Sequence, residues 1–319
     1  MKKVLILFGG NSYEHEISCL SANFIQKYID NKWFDCKFVG IDLDNKWYEI
    51  NSNNKINIHW KNNIVKEINN IIKYLKNFDI VFSIIHGNTC EDGKLQSLFE
   101  LYNIKYVGCD PYSSLICYDK LLTKLVLEKH DIMQIPYNIY NDKLNIELLD
   151  YPVIVKPCKC GSSIGISVAR NKRELNKAIK IAKKYDEKII IEKYITNKRE
   201  LECAILENNN NLIILDIGEI MNNNSFYDFN LKYKVNTKTC ISNIDKNIKK
   251  QIKNTSTQIF KILGCKGLAR IDFFFDLDNK KLYFNEINTV PGFTKNSMYP
   301  LLIKNCGINY KKLITILLS

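Results

Sequence analysis

Lys3 to Ser18 read KVLILFGGNSYEHEIS, and the order of residue types in this stretch decides what kind of fold follows. VLILF is a short apolar run of the sort buried on both faces of a sheet. GG stops it, and CLSANFIQKYI continues with Leu20, Phe24, Ile25 and Tyr28 at helical spacing. Strand, glycine turn and helix in that order open a parallel α/β unit. FDCKFVGIDL then supplies a strand, IVKEINNIIKYL a helix, and DIVFSIIHG another strand stopped by GNTCEDG. The alternation predicts a parallel sheet with ligands gathered at the carboxyl ends of its strands.

Beyond YVGCD the chain enters a helical stretch, SSLICYDKLLTKLVLEKHDI, and a first domain of residues 1–112 ends just before it. YPVIVKP is a strand, CKCGSSIGIS a glycine and serine loop, NKRELNKAIKIAKKY an amphipathic helix and KIIIEKYI a strand, which together make a second unit, 113–195. In the third unit, 196–319, RELECAILENNNNLIILDIGEI reads as a hairpin, KNIKKQIKNTSTQIFKIL as a helix and LARIDFFFDLDNKKLYFNEIN as a second hairpin. Between them MNNNSFYDFNLKYKVNTKTCISN is polar and weakly periodic. It is expected to be a long ordered loop, with 221–240 as a lid.

With 319 residues, 46% of them hydrophobic, the chain can bury a large core. The formal charge of +12 comes from lysines scattered along the chain rather than from a dense basic run interleaved with aromatics. That distribution argues against a nucleic-acid partner and suits an anionic small molecule. Eleven cysteines without CxxC spacing, the nearest pair being Cys158 and Cys160, read as reduced thiols. The apolar run after Met1 is too short for a signal peptide, and no apolar stretch has transmembrane length, so the expectation is a soluble, cytoplasmic protein with no membrane partner.

Four residues of the second hairpin stand out. Arg270 and Asp272 are two apart on one strand, Glu286 and Asn288 two apart on the other, so each pair shares a face. Asp, Glu and Asn are hard oxygen ligands that suit magnesium held jointly with phosphates, and an arginine beside them can stabilise developing negative charge. A surface ion pair is the plainer alternative. In KPCKCGSSIG, Lys156 ends a strand, Gly161 and Gly165 let the backbone approach a phosphate, and Ser162 and Ser163 offer donors. It lacks the order of a Walker loop. Glu192 and Glu200 could accept from adenine and ribose or be solvated. Glu14 could hold an ammonium group, and His86 could be catalytic or an ordinary turn histidine.

FGGNSYEHEIS, IIHGNTCEDGKLQSLFEL, YDKLLTK, VIVKPCKCGSSIGIS, FYDFNLKY and NEINTVPGFTKNSMYP occur in the order, and near the spacings, of D-alanine–D-alanine ligases of the ATP-grasp superfamily. The chain resembles that family over nearly its whole length. The resemblance implies an N-terminal parallel α/β domain (pre-ATP-grasp) followed by a two-domain, α+β ATP-grasp fold. It implies ATP-dependent formation of D-alanyl-D-alanine through an acyl phosphate, for peptidoglycan precursor synthesis, by a homodimer dimerising through the N-terminal domain.

Carried over motif by motif, Lys120, Lys156 and Lys232 would contact the phosphates, with Ser163 and the Gly161–Gly165 loop closing over them. Glu192, Lys193, Ile195 and Glu200 would surround adenine and ribose. Asp272, Glu286 and Asn288 would hold two Mg²⁺ ions, with Mn²⁺ as an alternative. Glu14 would hold the first D-alanine's ammonium near His86, and Glu14, Ser162 and Tyr233 would form a set positioning lid and substrates. Arg270 and a backbone amide near Gly292 would hold the oxyanion. Tyr227 lies in the lid, and Ser297 and Met298 would border the second substrate, while Asn285 has no assigned role. EKYITNKREL is one residue longer than the family's usual spacing between the two glutamates. The Lys232–Tyr233 pair separates the chain from relatives that use D-lactate. Met298, where D-serine enzymes tend to carry arginine, favours D-alanine over D-serine.

Overall fold

The computed structural model of the chain describes residues 1–141, 143–221 and 238–319. β1 (Lys2–Gly9) is buried from Val4 onward and runs parallel to β2 (Phe34–Ile41) on one side and β5 (Ile80–Ser83) on the other. Helix α1 (His15–Tyr28) follows the turn at Gly9 and Gly10, both in the left-handed region. A side chain at Gly9 would meet the Ile41 carbonyl at 2.3 Å, so only glycine lets β1 turn this close to its neighbour.

The sheet order is β4-β3-β2-β1-β5, and its outer strands β3 (Trp47–Ile50) and β4 (Ile64–Glu67) are antiparallel. The first sheet is therefore mixed. IVKEINNIIKYL is not one helix either: it splits into β4 and the short α2 (Ile71–Leu75), because Asn70 caps the helix with its side chain on Lys73 N–H.

The second sheet, β6 (Tyr137–Ile139), β9 (Ile189–Lys193), β7 (Val153–Pro157) and β8 (Ser167–Ala169) in that spatial order, is antiparallel throughout. Helix α6 (Lys172–Ala182) lays Leu175, Ala178, Ile179 and Ala182 on it. Between the first two sheets come α3 (Lys94–Leu101), α4 (Pro111–Tyr118) and α5 (Lys120–Glu128). The single helical stretch expected here breaks at Asp119, whose carboxylate caps α5 through Leu121 N–H and Leu122 N–H.

The third sheet has the order β12-β11-β10-β13-β14, from β10 (Lys198–Asn208), β11 (Asn211–Met221), β12 (Lys238–Ile241), β13 (Leu268–Asp276) and β14 (Lys281–Asn288). The stretch expected to be loop thus ends in a strand, since β12 pairs with β11. Helix α7 (Lys246–Ile262) covers one face through Ile252, Ile259 and Phe260. Helices α8 (Met298–Asn305) and α9 (Tyr310–Leu318) share one apolar cluster with β1, α1 and part of the third sheet, and Phe293 lies at its centre against Phe24, Phe82 and Tyr299. No helix among the described residues is long and apolar enough to cross a membrane.

Candidate active site

Strand period 2 builds the polar wall. Leu201, Cys203, Ile271 and Phe273 face the core under α7, so the alternate residues of the same strands face the second sheet. Arg270 lies opposite Asn288, and Asp272 opposite both Glu286 on β14 and Glu202 on β10. Arg270 grips Asp272 with two hydrogen bonds, Nε to Oδ1 at 2.8 Å and Nη2 to Oδ2 at 2.7 Å, and its Nε is 3.1 Å from Glu202 Oε2. Burial opposes the guanidinium's charge, but Asp272 and Glu202 more than offset it and raise its pKa. Asn288 Nδ2 donates to Asp272 Oδ2 at 3.2 Å.

Across from this wall, Lys156 on β7 and Lys120 at the start of α5 point back toward it. Lys156 Nζ lies 2.6 Å from Glu192 Oε2 and donates to Asn285 Oδ1 at 3.0 Å, which gives Asn285 a place in the site. Lys120 Nζ donates to the Cys160 carbonyl at 2.8 Å and lies 3.4 Å from Glu286 Oε2. A cavity of about 480 Å³ opens between the two sheets, lined by Lys120, Lys156, Ser163, Glu192, Lys193, Ile195, Glu200, Asp272 and Glu286. That volume suits a nucleotide-sized ligand. Burial raises the Glu200 carboxyl despite Lys198 at 3.7 Å.

Ser162 and Ser163 hold positive φ angles of 52° and 58°, a conformation that puts consecutive backbone N–H groups of the loop on one side. Ser162 Oγ donates to Glu14 Oε1, and a side chain at Gly161 would meet Glu14 Oε2 at 2.8 Å, so the loop is pressed against the turn after β1. Glu14 lines a second cavity, of about 630 Å³, with Gly161 and Cys160. His86 Nδ1 donates to the Val290 carbonyl at 3.0 Å while Nε2 meets Ser21 Oγ at 3.0 Å, and Ser21 Oγ also accepts from Phe293 N–H. The imidazole is thus fixed at both nitrogens, between β5 and the turn carrying Gly292. At that turn Ser297 Oγ accepts from Thr294 N–H at 3.1 Å, and Met298 is buried with its sulfur over Gly218. Tyr227, Lys232 and Tyr233 lie outside the described residues.

Three charged residues of the site escaped the sequence reading. Glu202 alternates with Leu201 and Cys203, a period-2 signal that was there to read. Lys124 lies four residues after Lys120 on α5, and its ammonium is 2.8 Å from Glu192 Oε1. Glu91, in the turn before α3, has its carboxyl pushed up to about 8 by burial first and by Glu14 second. It shares a small recess with Lys120 and Glu286.

Family models described as D-ala D-ala ligase N-terminus and D-ala D-ala ligase C-terminus match residues 3–109 and 123–319. The chain belongs to the D-alanine–D-alanine ligase family. It is 39% identical to a D-alanine–D-alanine ligase of Acetivibrio thermocellus over 98% of this chain and 94% of that one. With the corresponding ligase of Ruminiclostridium cellulolyticum it shares 36% identity, covering 100% and 94% of the two chains. Among solved structures, a VanG D-Ala:D-Ser ligase from Enterococcus faecalis superposes with a TM-score of 0.85 at 33% identity, over 99% of this chain and 98% of that one. The D-alanine-D-alanine ligase from Coxiella burnetii gives a TM-score of 0.81 at 29% identity, over 99% and 94%. The family accounts for the mixed α/β architecture, with its ATP-grasp pair of sheets, and for an ATP-dependent ligase acting on small molecules.

Proposed function

We propose that the chain joins two D-alanines into D-alanyl-D-alanine for peptidoglycan precursors, with ATP seated in the cavity between the second and third sheets. The observation that carries this is the meeting of two chemically opposite walls. Lys120 and Lys156 stand on one side, and Arg270, Asp272, Glu286 and Asn288 on the other, at the distances given above. In this reading Lys120, Lys156, Lys232 and Ser163 hold the phosphates, and Glu192, Lys193, Ile195 and Glu200 the adenine and ribose.

Asp272, Glu286 and Asn288 fit a divalent ion by chemistry: two carboxylates and an amide, all hard oxygen donors, on adjacent positions of a hairpin. Among the described residues no three of His, Cys, Asp and Glu converge as a closed cage, so a bound ion would complete its shell from phosphate oxygens. Two Mg²⁺ ions, replaceable by Mn²⁺, would supply charge neutralisation along the phosphate chain.

The first D-alanine's ammonium pairs with Glu14 near His86, and its carboxylate oxygen attacks the γ-phosphorus. ADP leaves and an acyl phosphate remains. The second D-alanine, bordered by Ser297, Tyr227 and the backbone at Met298, loses an ammonium proton with help from the Glu14, Ser162 and Tyr233 set, and its amine adds to the acyl carbon. Arg270 and the backbone amide near Gly292 hold the resulting oxyanion, which collapses by expelling phosphate. Three units, 1–112, 113–195 and 196–319, a homodimer formed through the first, and a cytoplasmic setting belong to the same proposal. All eleven cysteines are free, which agrees with a reducing compartment.

The test is ATP- and Mg²⁺-dependent phosphate release with D-alanine alone, then with D-serine added, and products identified by mass. Dominant D-alanyl-D-alanine is the expected result. A dominant mixed dipeptide would reassign the second substrate, and no product would overturn the proposal.

A further inference from the structure

Lys124, Glu192 and Lys156 form a buried row from α5 through β9 to β7. Glu192 Oε1 meets Lys124 Nζ at 2.8 Å and Glu192 Oε2 meets Lys156 Nζ at 2.6 Å. Lys124 is 1% exposed and does not line the cavity, whereas Lys156 does. Two ammonium groups around one carboxylate leave one unit of positive charge in a low-dielectric wall, where it acts strongly on anything anionic beside it. Burial pushes the Glu192 carboxyl up, but the two lysines more than offset this and hold it at about 2, so it stays ionised. A buried Glu192–Lys156 pair alone would be neutral, and drawing its ammonium toward a ligand would strand a buried carboxylate.

We propose that Lys124 is a positioning residue for the nucleotide: by compensating Glu192 from behind, it leaves the Lys156 ammonium free to serve an anionic ligand in the cavity. This rests on the ATP reading above. Lys124 itself stays out of the cavity lining, and its ammonium sits 5.1 Å from the Tyr137 ring centroid.

The test compares wild type, K124M, and the charge-balanced K124M/E192Q, with KM for ATP, kcat, and competitive inhibition by inorganic tripolyphosphate, which probes the phosphate contacts without adenine. In K124M, KM for ATP and the tripolyphosphate inhibition constant are expected to rise about tenfold while kcat changes less than about threefold, the pattern of lost ground-state binding. The double variant should return the tripolyphosphate inhibition constant to within about threefold of wild type, as coupled charges require, while its KM for ATP stays raised because the Glu192 contact to adenine is lost as well. A K124M with unchanged tripolyphosphate inhibition, or a folded double variant inhibited by tripolyphosphate as weakly as K124M, overturns the proposal. If K124M fails to fold, E192Q carries the test: tighter tripolyphosphate inhibition than wild type supports the arrangement, and unchanged or weaker inhibition overturns it. Failure of the ATP reading would show separately, as wild-type protein that forms no dipeptide from ATP and D-alanine.

Discussion

Replacing Arg270 by alanine should separate what this side chain does for the fold from what it does for the reaction. The guanidinium is buried, with Asp272 at 2.7 and 2.8 Å and Glu202 at 3.1 Å. Its removal leaves two buried carboxylates without that counter-charge, a change that costs about 3–5 kcal/mol in buried ion pairs. For a chain of this size that is a fall in Tm on the order of 10 °C.

Scanning calorimetry of the two proteins at pH 7.5 should show that fall. In the assay, kcat should fall about 10²–10³-fold, the loss expected for one oxyanion donor, with KM for ATP changed only a few-fold. Arg270→Lys keeps the charge but not the two-pronged grip, and should recover more of the Tm than of the rate. A kcat within threefold of wild type, or a KM for ATP that rises as steeply as kcat falls, would refute the assignment.

Gly161→Ala would put a methyl 2.8 Å from Glu14 Oε2, and is expected to raise KM for the first D-alanine about tenfold with little change for ATP, read from initial rates at fixed second-site saturation. Gly218→Ala drives a methyl to 2.2 Å from the Met298 sulfur and should cost about 1–3 kcal/mol in urea unfolding. Adding Met298→Ala should restore part of that stability, and no restoration would contradict the packing. Glu192, held at about 2, has a depressed folded pKa, so its stabilisation is present above about 4.3 and lost as pH falls toward 2. Glu192→Gln should therefore flatten the acid limb of a Tm-versus-pH curve between those values, and an unaltered limb would show the carboxylate contributes nothing there.

What could be read in advance followed from local periodicity. Arg270, Asp272, Glu286 and Asn288 declared a common face because strand spacing is fixed at two, and the turn between β13 and β14 brought the pairs together. Glu202 carried the same period, but its strand neighbour β13 lies about seventy residues further along the chain, and one sequence does not reveal which strands pair. Lys124 was indistinguishable from an exposed helix lysine, since its burial comes from β9 and not from α5 itself. Ile64 to Glu67 looked helical because apolar residues recur near helical spacing, whereas pairing with β3 made the segment an exposed edge strand. Met298 was read as a wall of the second substrate's pocket from its place in the motif. Its side chain packs over Gly218 in the apolar cluster, so any influence on that substrate passes through the backbone of α8 and β11.

His86 bonds to Val290, 204 positions further along the chain, and Ser21 adds a third segment to the same knot. The N-terminal sheet and the turn after β14 are therefore gauged against each other at this imidazole and at Phe293, without any strand running between them. For anyone building chimaeras of this ligase from related ones, the practical unit of exchange is then not a domain. Ser21, His86 and the Val290–Phe293 turn would have to travel together, or the two sides of this contact would be inherited from two different parents.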